Sequence, residues 1–331
     1  MPSAPETTGL CPFCLGDGRG ATLTVRELTQ STMTPFHYVQ CPGCGSYRCE
    51  DFPAAIAAWY KGYFSFSDLD QPWADSRLQR FLVQLFGWCV VRTNLCRALR
   101  PLFRNPTAAV MDRISPNLQA FLFLGAAPGA RILDVGAGVG ALVKQMARIG
   151  FPHGQGIDPF LDPSQENRYS RRSDIHSVEG TWDIILFNHS LEHMRDPESA
   201  LARCKTLLAA GGSILVQVPN VPCAYLDRFQ GDWAWFHAPY HFALPSQAGM
   251  EALARRCGFK VADRVGTSRW DHYLYHDEYR RGIGNQDPGS VRRQIERGAF
   301  SKRDRLELLR EARGLNRELR GDWIGYRLVH A

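Results

Sequence analysis

A short apolar run followed at once by three alternating glycines, "ARILDVGAGVGAL" (Ala130 to Leu142), limits what this chain can fold into more than any other stretch. The run reads as a strand and the segment after it as a helix. Gly136, Gly138 and Gly140 lie in the turn between them, where the lack of a Cβ lets the backbone approach a ligand. The same alternation continues downstream. "GQGID" reads as a second strand, a weak third lies around "RSDIH", and "WDIILFN" is a fourth. "DPESALARCKTLLAAGG" reads as a helix closed by its glycine pair, "SILVQVP" as a fifth strand, and "SQAGMEALARRCGF" as a helix with Ser246 as N-cap. "KVADRVG" and "DWIGYRLV" supply the last two strands. Strands alternating with helices predict an α/β architecture whose parallel sheet is covered on both faces.

The spacing of the loop narrows its ligand. A dinucleotide fingerprint wants G-x-G-x-x-G, whereas this loop is G-x-G-x-G with Asp134 at the strand end. That carboxylate repels a pyrophosphate but suits a ligand with cationic groups. S-adenosylmethionine (SAM) carries a sulfonium and an ammonium and no phosphate. Asp158, ending the second strand, is placed to accept the two ribose hydroxyls, and Asn188, ending the fourth, is grouped with the cofactor residues.

"ILDVGAGVG", "GID", "WDIILFNHSLEHMRDPESALARCKTLLAAGGSILVQVPN" and "HFALPSQAGMEALARRCGF" resemble class I SAM-dependent methyltransferases, over most of Ala130 to Val261. The resemblance implies a Rossmann-like seven-stranded sheet of order 3-2-1-4-5-7-6 with strand seven antiparallel. It also implies that Asp134, Gly136 and Gly138 meet the methionine end of SAM, Asp158 the ribose, and Asp174 the adenine amine.

Upstream, "CPFCLG" (Cys11, Cys14) and "CPGCG" (Cys41, Cys44) are two C-x-x-C knuckles with 26 residues between the inner cysteines. Four thiolates on two tight turns match tetrahedral zinc of structural type. Cys49, Cys89, Cys96, Cys204, Cys223 and Cys257 show no ligand spacing and read as core thiols. The expected organisation is a zinc ribbon over 1–60, a helical linker or lid over 61–127, and the methyltransferase domain over 128–331. A ribbon followed by "WYKGYFSFS" and this core resembles bacterial methyltransferases of surface-glycan gene sets.

Composition sets the surroundings. The ten cysteines, with no basic-then-apolar leader in "MPSAPETTGL", fit a reducing, cytoplasmic compartment. "FLVQLFGWCVV" (Phe81 to Val91) is too short to span a bilayer. The formal charge of +6 is carried by the segment from Arg280 onward, with 13 Lys/Arg against 7 Asp/Glu. Such a segment can meet phosphates or an anionic membrane, but its interspersed acids read better as a solvated helix. The ribbon lacks a basic cluster, so nucleic acid is the less favoured partner.

Loops after strands four and five face the reacting methyl group in an open α/β sheet. They carry "NHSLEHMRDP", with His189, Glu192 and His193, and "NVPCAYLDRFQGDWAWFHAPYHFALP", with Trp233, Trp235, His237, Tyr240 and His241. An imidazole can take a hydroxyl proton near neutral pH, which makes His241 and His237, with His193, the candidate catalytic residues. In many methyltransferases the Glu192-His193 pair is structural, and a related set of quinone-pathway enzymes uses the corresponding stretch for magnesium. The expected activity is O-methylation of a glycan or small-metabolite hydroxyl. A zinc-ribbon RNA methyltransferase and a non-catalytic SAM-binding scaffold are the alternatives.

Overall fold

The computed structural model describes residues 9–60, 129–148 and 151–331. The helical segment expected over 61–127, with Cys89 and Cys96, lies outside them. Two sheets organise the described residues. In the first, β1 (Thr22–Arg26), β2 (Pro35–Gln40) and β3 (Tyr47–Cys49) form an antiparallel meander.

The second sheet has seven strands: β4 (Ile132–Val135), β5 (Gly154–Ile157), β6 (Ser170–Arg171), β7 (Trp182–Asn188), β8 (Leu208–Pro219), β10 (Phe259–Gly266) and β11 (Trp323–His330). Their order, β10-β11-β8-β7-β4-β5-β6, is the expected one, with the last strand in sequence inserted antiparallel between β8 and β10. All four residues of β4 and the Ile184–Phe187 run of β7 are buried, as parallel strands covered on both faces require. Helix α1 (Ala141–Arg148) follows the glycine turn and buries Leu142, Val143 and Met146. Helices α2 (Pro197–Leu207) and α4 (Gln247–Arg256) start on side-chain caps. Asp196 accepts from the Ser199 N–H and, as expected, Ser246 from that of Gly249.

Two local expectations are corrected. The glycine pair does not close α2, which ends at Leu207; Gly211 and Gly212 lie inside β8. There Gly211 adopts φ +75° and the register against β7 jumps from Trp182↔Leu208 to Ile184↔Ser213. A Cβ on Gly212 would stand 2.8 Å from the Asp183 carbonyl oxygen, so the pair serves close backbone approach. The third strand precedes "RSDIH", because Asp174 caps a 3₁₀ turn over Ile175–Ser177 instead of extending.

The two sheets are joined through the connection after β8. Helix α3 (Ala224–Phe229) opens this stretch, and β9 (Ala243–Leu244) closes it by pairing antiparallel with β3, through Tyr47↔Leu244 and Arg48↔Ala243. The Tyr38 hydroxyl donates to the His241 carbonyl at 2.7 Å, and Ser46 Oγ accepts from the Ser246 N–H at 2.9 Å. Arg256 reaches from α4 to the carbonyls of Pro12 and Phe13 while paired to Glu198. The charge-rich segment begins at the end of α5 (His272–Arg280) and folds into α6 (Val291–Glu296), α7 (Lys302–Arg317) and β11; α7 opens on a Ser301/Asp304 capping box and buries Leu309 and Ala312. No helix among the described residues is long and apolar enough to cross a membrane.

Beneath this connection lies Asp322, fully buried. It accepts from Trp233 Nε1 at 2.6 Å and from His276 Nε2 at 3.1 Å, whose Nδ1 in turn accepts from the Ala234 N–H. Burial alone would raise the carboxyl; His276 and His272 outweigh it and hold the group well below the usual carboxylate range. Asp322→Ala leaves an indole N–H and an imidazole N–H buried without an acceptor. Its unfolding free energy is expected to fall by about 3–5 kcal/mol, read as a lower urea midpoint at unchanged slope. A midpoint within experimental error of the parent would show that Asp322 does not anchor the connection.

Candidate active site

The site starts at the turn after β4. Gly136 has φ +80°, and a Cβ there would lie 2.4 Å from the Ser190 Cβ, so both conformation and space demand glycine. Gly138 and Gly140 also have positive φ, and the Gly138 N–H donates to Asp158 Oδ2 at 3.0 Å. The other Asp158 oxygen accepts from the Phe160 N–H at 2.8 Å. Burial raises this carboxyl, and the two N–H donors offset only part of the rise. Asp134 is 2% exposed, and its Oδ1 has no hydrogen-bond partner. Burial, with Asp158 adding repulsion, pushes it up to about 7. A buried carboxyl facing a second acid is set to ionise when a cation arrives.

The other predicted cofactor residues are placed differently. Asn188 is the partly buried last residue of β7, opposite Gln217 of β8. Asp174 is exposed, and its carboxylate accepts from the His176 N–H at 2.8 Å as a cap.

Across the top of the sheet the two predicted loops meet. The 3₁₀ turn Leu191–His193 follows β7, and the turn Ala234–Phe236 precedes His237. His189 and His237 both hold left-handed backbone, at φ +52° and +46°. Non-glycine residues in that region mark strain held by surrounding structure. The rings of His193 and His241 are 4.7 Å apart, and those of His237 and His241 5.0 Å. The three predicted histidines thus converge. Burial lowers the pKa of all three, with neighbouring imidazoles adding to it, so each is neutral near pH 7. His241 Nδ1 donates to the Trp235 carbonyl at 2.9 Å, which leaves the Nε2 lone pair free, 3.9 Å from Glu192 Oε1.

Two participants, Tyr60 and Tyr38, carried no signal in residue spacing, and a third, Glu192, is placed more closely than its sequence reading implied. Tyr60, from the end of the ribbon segment, stacks on Phe160 at 4.9 Å and places its hydroxyl 2.9 Å from His193 Nδ1. Tyr38 holds the His241 carbonyl. Glu192, read from sequence as structural or as part of a magnesium stretch, is fully buried, and neither of its oxygens has a hydrogen-bond partner. Glu192, His193 and His241 each bring a ligand atom within 4.8 Å of the others, so these residues fit a divalent cation. Trp233 is turned away to Asp322, whereas Trp235 packs on His272 and Trp323 at 4.7 and 4.9 Å.

In the ribbon, Cys11 and Cys44 sulfurs are 3.6 Å apart and those of Cys14 and Cys41 3.5 Å. A tetrahedral ion with Zn–S bonds of about 2.3 Å separates its thiolates by about 3.8 Å, so the four cysteines fit zinc. Cys49, Cys204, Cys223 and Cys257 are buried free thiols.

A family model described as a methyltransferase domain matches residues 107–263. A ubiquinone biosynthesis O-methyltransferase of Acinetobacter baylyi is 29% identical over 165 residues, covering 43% of this chain and 68% of that protein. A tRNA U34 carboxymethyltransferase of Trichlorobacter lovleyi is 26% identical over 179 residues, 50% of this chain and 54% of that one. Among solved structures, the cyclopropane synthase MmaA2 from Mycobacterium tuberculosis aligns with a TM-score of 0.42 at 18% identity, over 65% of this chain and 83% of that one. The matched domain spans the very strands that hold the glycine turn and the acid at its side, and the chain therefore carries a SAM-dependent methyltransferase domain.

Proposed function

We propose that this protein moves the methyl group of SAM to a hydroxyl of a glycan or other small metabolite, in a reducing cytoplasm. The observation that carries the reading is the convergence of neutral His193 and His241, from separate loops, on the side of the sheet where the acceptor must lie. In the reaction the acceptor oxygen forms a bond to the methyl carbon while the sulfonium S–C bond breaks, leaving S-adenosylhomocysteine. The hydroxyl proton passes to the imidazole side of the site. Neutral imidazole is the form that can accept it. Asp134, Gly136 and Gly138 hold the methionine end, Asp158 the ribose, and Asn188 lines the same end of the sheet. The ubiquinone-pathway relatives, named for O-methylation, lend support to oxygen as the target. The tRNA-modifying relative and the basic segment from Arg280 favour a second reading, in which RNA is the acceptor.

Tritiated methyl transfer from SAM into fractionated glycan, lipid and RNA pools separates the two. Label is expected in a hydroxyl-bearing small-molecule or glycan fraction; label confined to RNA would replace that reading with the second. On the labelled acceptor, His241→Ala is expected to lower the maximal rate about 10²–10⁴-fold with SAM affinity held. Full turnover by that variant would remove His241 from the chemistry.

Asp134 gives a pH test that needs no acceptor. Its raised pKa means the folded state holds a proton that the unfolded chain has already lost. In the free protein this contribution to stability therefore declines as pH rises through about 7. A cationic ligand favours the ionised form, so SAM affinity, measured by calorimetry, is expected to rise about tenfold between about pH 6 and about pH 8 relative to Asp134→Asn. Parallel pH profiles for the two proteins would place the cationic groups elsewhere.

A further inference from the structure

A fully buried carboxylate without a single hydrogen bond is expensive unless a cation joins it. Glu192 is such a group: His189 Nδ1 at 3.4 Å and His241 Nε2 at 3.9 Å are its ion-pair neighbours, both on Oε1, and neither makes a hydrogen bond. We propose that Glu192, His193 and His241 bind a transition-metal ion of the zinc type, second to that of the ribbon, on the acceptor side of the site.

Three features of the geometry support this. The donors converge from two loops, with their ligand atoms within 4.8 Å of one another. Metal–ligand bonds of about 2.0–2.2 Å set tetrahedral donors about 3.3–3.6 Å apart, so the two loops close by about an ångström on the ion. Both imidazoles are oriented by outer partners in the manner of metal-bound histidines: His241 Nδ1 donates to the Trp235 carbonyl, and His193 Nδ1 to the Tyr240 carbonyl at 2.8 Å. In each ring the remaining nitrogen carries the lone pair. The Tyr38 hydroxyl, from the ribbon, fixes the backbone of His241.

Donor chemistry then selects the ion. Magnesium takes oxygen ligands and keeps its waters, whereas two imidazoles with one carboxylate suit zinc, cobalt, nickel, manganese or iron. The magnesium that the resemblance allowed at Glu192-His193 is thus replaced here by a softer ion, because His241 arrives from the loop after β8. His189, with Nε2 unpartnered, stands beside Glu192 as a further imidazole. Such an ion would occupy the lone pairs of His193 and His241 and lower the pKa of a hydroxyl bound to it, in place of proton transfer to either ring.

The inference rests on reading this face as the acceptor side, but its test uses metal alone. Full-length protein loaded with ribbon zinc is dialysed against cobalt(II), then measured by metal analysis and visible absorption. Two metal equivalents per chain are expected, the second giving a d–d band without thiolate charge transfer, and excess magnesium should not displace it. Glu192→Gln and His241→Ala should each reduce the count from two to one. Cys44→Ser should instead remove the ribbon metal and keep the second band. SAM binding by calorimetry verifies that each variant is folded, and the band of the parent protein decides should a variant fail that check. One equivalent in the parent, displacement by magnesium, or a second equivalent that survives in both folded site variants would overturn the proposal. Methylation of an RNA pool with the second metal present would sink only the hydroxyl-acceptor reading.

Discussion

The backbone pairing of β3 with β9 is the constraint on which the acceptor side depends. Two residue pairs, Tyr47↔Leu244 and Arg48↔Ala243, tie the ribbon to the end of a long connection otherwise built of one short helix and 3₁₀ turns. A connection that is buried must find partners for its backbone groups in whatever packs on it. Here that is the ribbon, and the Tyr38 hydroxyl captures the carbonyls of both His241 and Phe236. From the other side Asp322 gathers Trp233 and His276. The loop holding His237, Tyr240 and His241 is clamped between these two anchors, which is how it can hold His237 in left-handed backbone. In this arrangement the cysteine-bearing segment forms one wall of the candidate site.

The electrostatics of the site follow from burial. Imidazoles lose charge when removed from water, and carboxyls keep their protons. The cofactor side accordingly presents Asp134, poised near neutrality, and the acceptor side presents lone pairs from neutral histidines. Glu192 stands apart from both, a buried acid whose neighbouring imidazoles make no hydrogen bond to it. One face is suited to receive a cationic cofactor, and the other meets the acceptor in the function proposed above.

Much of this was legible in the chain. The order of the seven strands is what the resemblance to class I methyltransferases implies; the strands themselves, the Ser246 cap and the meeting of the two histidine-bearing loops follow from local apolar periodicity, capping chemistry and the rule that ligands sit at the carboxyl ends of parallel strands. The errors share a cause as well. Gly211-Gly212 reads as a helix stop because glycine ends helices, yet close approach to Asp183 across the sheet decided its place. Asp174 lies in a segment that reads as a weak strand, but its carboxylate prefers the local N–H of His176 and turns the chain.

The sequence by itself determined the individual strands and helices, the glycine turn with Asp134 at its strand end, and each two-cysteine knuckle, because each is written in neighbours a few residues apart. Only the tertiary structure decided that Tyr38 and Tyr60 belong to the site, and that His241 turns its free nitrogen toward Glu192. It also decided that Trp233 serves Asp322 rather than an acceptor. Those relations join residues roughly 50 to 200 positions apart, and burial settles them: a polar atom removed from water must find whatever partner the fold brings within reach.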